Sequence, residues 1–108
     1  MASTSGPHDW ADVLAFHIRA LNLPAPAREH HPFADRKFRL DLSWPDRWLF
    51  AECDGGEWTH GRHGRGRGMQ TDCEKWNLLT LAGWRGLRFV GSQIRSGYAI
   101  EIIERALK

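Results

Sequence analysis

Three acidic residues flank a short predicted turn in the first half of the chain. Asp41 precedes the sequence PDR (residues 45–47), and Glu52 and Asp54 follow it. Proline and aspartate without a strong helix former favour a hairpin turn at PDR. Counting outward from this turn places Asp41 opposite positions near 51–53, where cross-strand Cβ atoms lie about 5 Å apart. The spacing therefore predicts that the carboxylates of Asp41 and Glu52 converge on one point.

Two carboxylates that converge inside a protein need a cation between them, because a buried pair of like charges is otherwise strongly destabilising. Asp41, Glu52, the backbone carbonyl of Cys53 and water would suit the octahedral oxygen coordination of Mg²⁺ or Mn²⁺. Asp54 shares a strand face with Glu52 by the period of two, so it could reach the same cation. The alternative is that each acid faces solvent at a strand end.

Two clusters of basic residues lie on either side of these acids in the sequence. The cluster before them consists of Arg36, Lys37 and Arg39. The cluster after them, in a glycine-rich stretch, consists of His60, Arg62, His63, Arg65 and Arg67. Such patches predict binding to a polyanion, and glycines beside arginines let backbone amides also meet phosphates. The alternative is a solubilising surface. Trp58, at the start of the stretch, could stack on a base or pack across the base of the loop.

The chain has two cysteines, Cys53 and Cys73, which with His60 and His63 supply four candidate zinc ligands. Zinc sites usually pair soft ligands at short spacing, as in C-x₂-C, and only the two histidines are close here. A structural disulfide is not expected in a chain without a secretion signal. The alternative interpretation of both cysteines is that they are small buried hydrophobic residues.

The composition is that of a globular domain, with 108 residues of which 42% are hydrophobic and 26% charged. We expect residues 1–8 to form a flexible tail and residues 9–108 to form one domain. No apolar run approaches the roughly 20 residues that span a bilayer. The first residues, MASTSGPHDW, lack the features of a signal peptide, so a cytoplasmic protein is expected.

Hydrophobic periodicity predicts an α/β fold with a small mixed sheet flanked by helices. A helix over 9–22 would begin with Asp9 as N-cap and end at LPAP. REHHPF favours a short extended segment, KFRLDLSW a half-exposed strand, and WLFAECD a more apolar and central strand. A second helix would begin with Thr71 or Asp72 as N-cap and stop at Gly83. LRFV predicts a further strand, and SGYAIEIIERALK an amphipathic closing helix.

Several of these segments together resemble the PD-(D/E)xK nuclease superfamily, and more closely its small single-domain endonucleases related to very-short-patch-repair enzymes. The resemblance covers about residues 9–107. Its most specific parts are Asp41 in FRLDL, the segment ECDGGEW at 52–58, and DCEKWNLLTLAGWRGLRF at 72–89. It implies a restriction-endonuclease-like core of helix, three strands, helix, strand and helix. It also implies a metal-dependent phosphodiesterase that acts on DNA, in repair, recombination or phage DNA processing.

The resemblance further implies roles for individual residues. Asp41 would match the metal-binding aspartate of the family and Glu52 its second acid. The family's usual lysine is replaced by Asp54, and in some relatives the basic residue comes from the following helix. Lys75 is then the candidate, with a solvated helix lysine as the alternative, and Asp54 would be a further metal ligand or would hold Lys75.

The resemblance also suggests that His60 or His63 could act as histidines do in very-short-patch-repair enzymes. Glu29 matches a position where such nucleases often carry another acid. Two other classes of function stay open, which are a non-catalytic DNA-binding module on the same fold and a zinc-stabilised interaction domain. The sequence also leaves open whether the protein forms a homodimer.

Overall fold

The computed structural model describes residues 9–54 and 67–108, except for the side chain of Arg67. Its helices are α1 (Trp10–Ala20), α2 (Arg67–Leu81), α3 (Gly91–Arg95) and α4 (Tyr98–Ala106). Its strands are β1 (Ala27–His30), β2 (Leu40–Trp44), β3 (Leu49–Asp54) and β4 (Arg85–Val90). The predicted N-terminal tail, residues 1–8, lies outside the described residues.

The four strands form one mixed sheet in the order β1-β2-β3-β4. The pairs β1–β2 and β2–β3 are antiparallel, whereas β4 pairs parallel to β3. The predicted turn is a single 3₁₀ turn, Pro45–Arg47, followed by Trp48 in the left-handed conformation with φ 52°. This tight turn fixes the register of β2 against β3, with Leu42 opposite Ala51. The same register places Asp41 opposite Glu52, as the sequence predicts.

Helices cover both faces of the sheet, which confirms the predicted mixed α and β architecture. The larger core cluster joins α1, α3 and α4 to one face, and its members from the strands include Leu42, Ala51 and Phe89. On the other face, Leu79 of α2 packs with Leu40 and Phe50, supported by half-buried aromatic rings. Because both faces are covered, β2 is almost wholly buried. The prediction of a half-exposed strand there is therefore wrong.

Two helix boundaries differ from the prediction. Asp9 caps α1 as expected, because its side chain accepts a hydrogen bond from the amide of Asp12. In contrast, α2 begins at Arg67, so Thr71 and Asp72 lie inside the helix and neither is its N-cap. The C-terminal region holds two helices, because Gly97, with φ 93°, separates α3 from α4.

None of the helices described here is both long and apolar enough to cross a lipid bilayer.

Candidate functional site

Asp41 and Glu52 meet at the end of the β2–β3 ladder, and each carboxylate binds the main chain of the opposite strand. The amide of Asp41 donates to Oε2 of Glu52 at 2.8 Å. The amide of Cys53 donates to Oδ2 of Asp41 at 2.9 Å. Both acids are therefore held by backbone bonds across the strands, and rotation of either side chain would break one of them. The structure brings the two predicted acids together.

Lys75 of α2 reaches across to the same point. Its Nζ donates to Oε1 of Glu52 at 2.5 Å and to the backbone carbonyl of Arg39 at 2.7 Å. The side chains of Lys75 and Glu52 are only 11% and 13% exposed. The alternative of a solvated helix lysine is therefore wrong. Glu52, Asp41 and Lys75 form one connected group, which we call the acid–lysine cluster.

Burial determines the electrostatics of Glu52. It raises the pKa of this carboxyl group, and the opposing effects of the Lys75 hydrogen bond and the Asp41 amide are smaller. Burial penalises the charged form of a carboxylate, whereas a nearby cation favours it. Because Lys75 compensates the desolvation only in part, an additional positive charge would further stabilise ionised Glu52.

Asp54 does not hold Lys75, one of the two roles that the resemblance implies for it, because it is bonded to an arginine of β4. Its other implied role, as a further metal ligand, stays a prediction. Nε of Arg88 donates to Oδ2 of Asp54 at 2.9 Å, and its NH2 lies 2.9 Å from Oδ2 of Asp72. Burial disfavours the charged form of Arg88, but the bonds to the two aspartates outweigh this and raise the pKa of the guanidinium. Sequence reasoning missed Arg88, although an arginine inside the apolar run LRFV is an available signal.

Cys53 lies between the acids in the sequence, but its thiol is half-buried against the opposite face of the sheet. Burial, followed by the charges of Asp41, Glu52 and Asp54, raises the pKa of this thiol to about 12. Its side chain therefore behaves as the buried apolar group that the sequence allowed. Its backbone carbonyl as a metal ligand stays a prediction.

Two of the four candidate zinc ligands, His60 and His63, lie outside the described residues, and Cys73 is exposed on α2. Within residues 9–54 and 67–108, no group of three or more His, Cys, Asp or Glu side chains could hold a metal ion. A cation at Asp41 and Glu52 would thus need backbone carbonyls or water as further ligands. This fits Mg²⁺, which is commonly bound by one or two carboxylates and keeps several waters.

A groove of about 480 Å³ opens beside Lys75, between α2 and the segment that precedes β2. Its lining residues are Lys37, Phe38, Arg39, Gly68, Thr71, Asp72 and Lys75. Three of these seven residues are cationic and one is acidic, so the groove favours an anionic ligand. Two members of the predicted basic cluster before β2, Lys37 and Arg39, therefore lie on the rim of the site.

Two further predicted site residues, Arg36 and Glu29, form exposed ion pairs. Arg36 lies 3.7 Å from Glu74, and the carboxylate of Glu29, 65% exposed, lies 4.0 Å from Arg39. Glu29 thus lies at the basic rim, paired with Arg39. Arg67 begins α2. The other candidates for DNA contact lie outside the described residues, namely Trp58, His60, Arg62, His63 and Arg65.

Comparison of the chain with protein-family models, with curated proteins and with solved structures gave no match. The interpretation of this site therefore depends on the geometry of its residues.

Proposed function

We propose that the protein is a divalent-metal-dependent deoxyribonuclease, an endonuclease or nickase that hydrolyses phosphodiester bonds in DNA. The observation that carries this proposal is the acid–lysine cluster, in which the carboxylates of Asp41 and Glu52 each accept a hydrogen bond from a backbone amide of the opposite strand and the buried Lys75 donates to Glu52. The order of elements supports the same assignment. A helix, three antiparallel strands, a helix and a parallel fourth strand are the elements that a restriction-endonuclease-like core would have.

The proposed roles follow from the positions of the side chains. Asp41 and Glu52 would hold Mg²⁺ or Mn²⁺, which supplies Lewis-acid charge to the reacting phosphate. Lys75 favours the ionised form of Glu52, and its ammonium group can donate a hydrogen bond to the attacking water or to a phosphate oxygen. Lys75 therefore replaces the lysine that the family carries at the position of Asp54. Asp54, paired with Arg88, is assigned to the support of the site.

The basic groove beside Lys75 would receive the DNA backbone. Lys37 and Arg39 are exposed on its rim, next to the ammonium group of Lys75. Contacts from such flexible side chains to phosphates give affinity without sequence preference. This leaves base recognition to other residues or to the shape of the DNA.

Conversion of supercoiled plasmid to nicked or linear DNA tests this proposal. We expect conversion with Mg²⁺ or Mn²⁺ and none with EDTA. EDTA removes the cation, and the two carboxylates alone supply no positive charge to the reacting phosphate. Protein carrying Asp46→Asn, an exposed acid in the β2–β3 turn, is the matched control and should cut like the wild type. If wild-type protein in molar excess over plasmid produces no metal-dependent cleavage, the proposed nuclease function is wrong.

A second candidate is a non-catalytic DNA-binding module, and the engagement of Asp54 favours it. The position that carries the lysine in the family holds an acid here, and that acid is bonded to Arg88. This candidate keeps the basic groove but requires no metal. The plasmid experiment separates the two functions, since a binding module would shift plasmid mobility without cutting it.

Both candidates predict that the rim of the groove contributes to DNA affinity. Replacing Lys37 and Arg39 together by alanine should weaken binding to duplexes of any sequence. The slope of log Kobs against log salt concentration should become shallower by about 1.8, because each lost phosphate contact contributes about 0.9. The matched control replaces Arg105 and Lys108, which are exposed at the end of α4 on the opposite face of the sheet. Equal slopes for the two double variants would exclude the groove as a DNA-binding surface.

A further inference from the structure

Arg88 connects the two segments of chain that carry the acid–lysine cluster. It lies on β4 in register with Glu52 of the neighbouring parallel strand. Through Nε it binds Asp54, the last residue of β3, and through NH2 it binds Asp72 on α2. Its guanidinium carbon also lies 5.7 Å from the ring centroid of Trp76. One side chain therefore contacts the strand that bears Glu52 and the helix that bears Lys75.

The contacts of Arg88 on α2 bracket Lys75. Asp72 and Trp76 are four residues apart and so lie one above the other on the same face of the helix. Lys75 belongs to the same turn, between these two contacts. The ring of Trp76 can approach β4 because Gly86 lacks a side chain, and a Cβ there would lie 2.5 Å from Cζ3 of Trp76. The turn of α2 that presents Lys75 is thus fixed against β4 at two points.

Stability alone is a weak reason for such an arrangement. The side chains of Arg88, Asp54 and Asp72 are 43%, 36% and 35% exposed, and ion pairs open to solvent contribute little to folding free energy. A planar guanidinium that bonds two carboxylates through different nitrogens does, however, restrict their relative positions. A lysine at position 88 would supply the positive charge but not the planar guanidinium that donates through two different nitrogens.

We propose that Arg88 is a positioning residue, which holds the first turns of α2 against the end of β3 and thereby keeps Nζ of Lys75 on Glu52. Its effect on cleavage rests on the nuclease function proposed above. Its effect on the position of Lys75 does not depend on any activity. The two can therefore be measured separately.

The accessibility of Lys75 to acylation is the direct measurement. Folded protein is treated with an excess of acetic anhydride, and the modification of each lysine is followed by peptide mass spectrometry. Lys37 and Lys108, the other two lysines of the chain, are exposed and serve as internal references. Arg88→Gln should accelerate the acylation of Lys75 several-fold while the references react at wild-type rates. Arg88→Lys should give an intermediate rate of Lys75 acylation, because it keeps the positive charge but cannot bond both aspartates in the geometry of a guanidinium.

Arg85→Gln is the matched control, since Arg85 lies on the same strand but hydrogen-bonds the backbone carbonyls of Arg47 and Ala106. It should leave the acylation of Lys75 unchanged. Asp72→Asn loosens only the contact with α2 and provides a milder variant if Arg88→Gln does not fold. Wild-type acylation of Lys75 in a folded Arg88→Gln or Asp72→Asn protein would overturn the proposal. Loss of cleavage with unchanged acylation would also overturn it, because the role of Arg88 would then be other than positioning Lys75.

Discussion

Asp41→Asn and Glu52→Gln are each expected to reduce Mg²⁺-dependent plasmid cleavage to the rate measured in EDTA. Each substitution removes one of the two carboxylates that would hold the cation, and an amide oxygen is a much weaker ligand for Mg²⁺. Asp41→Asn should keep the fold, because its amide oxygen can still accept the bond from Cys53. Glu52→Gln should lower the stability, because one amide oxygen cannot accept from both Asp41 and Lys75 and the buried lysine loses its counterion. DNA binding should be unchanged or tighter, since less negative charge faces the phosphates.

Quantitative plasmid cleavage and a duplex-binding assay, both with circular dichroism to verify folding, check this prediction. Glu74→Gln is the matched control, because Glu74 is an exposed acid on α2 that pairs with Arg36 outside the acid–lysine cluster. It should cut at the wild-type rate. Wild-type cleavage by either Asp41→Asn or Glu52→Gln would place the catalytic centre elsewhere in the chain.

Lys75→Met is expected to have the largest effect on stability, together with a strong loss of cleavage. It leaves Glu52 buried without its cation, and removal of one partner of a buried ion pair typically destabilises a protein by about 3–5 kcal/mol. The equivalent substitution Lys37→Met, at an exposed position, should change the free energy of unfolding little. Adding Glu52→Gln to Lys75→Met should recover much of the stability, because the uncompensated charge is then gone.

The stability deficit of Lys75→Met should depend on pH in a defined direction. Burial already raises the pKa of Glu52 above its ordinary value of 4.5, and loss of Lys75 removes a contribution that lowers it. A carboxyl group with a raised pKa in the folded state stabilises the fold below its ordinary pKa, and this stabilisation is lost as the pH rises through the folded-state pKa. The deficit should therefore be small near pH 4 and large at pH 7.

Chemical denaturation at these pH values, with and without Mg²⁺, measures the deficit. Mg²⁺ should stabilise Lys75→Met at pH 7, because a cation that binds only the folded protein shifts the equilibrium by mass action. A deficit that is equal at both pH values would show that Lys75 acts through packing and not by compensating the charge of Glu52.

Local rules were sufficient to predict the meeting of the two acids but not the environment around them. A three-residue turn determines the register of the hairpin, so counting outward from residues 45–47 placed Asp41 opposite Glu52. The pairing of β3 with β4 spans a crossover that includes α2, and no local pattern determines its register. The position of Arg88 beside Glu52 could therefore not be read from the chain. For the same reason the sequence offers Asp54 only as a metal ligand or as a partner of Lys75, and does not indicate the partner that β4 supplies.

The early start of α2 has a similar cause. Glycine and arginine at residues 66–68 give no helix signal, and capping chemistry favoured Thr71 or Asp72. In the structure, Asp72 is engaged by Arg88 and does not cap the helix. Asp72 therefore pairs with a strand that is distant in the sequence, which its local capping preference does not indicate.

The parallel pairing of β3 with β4 has a consequence for the order in which the protein folds. The β2–β3 hairpin closes around a short turn, so Asp41 and Glu52 can come together early and at a small entropic penalty. Lys75 and Arg88 join them only when the crossover closes, since parallel pairing between distant segments is intrinsically slow. A nascent or partly folded chain would thus carry two facing carboxylates before their own counterion arrives. If the two carboxylates bind the proposed Mg²⁺ or Mn²⁺, the cation would stabilise the hairpin at that stage and accelerate folding.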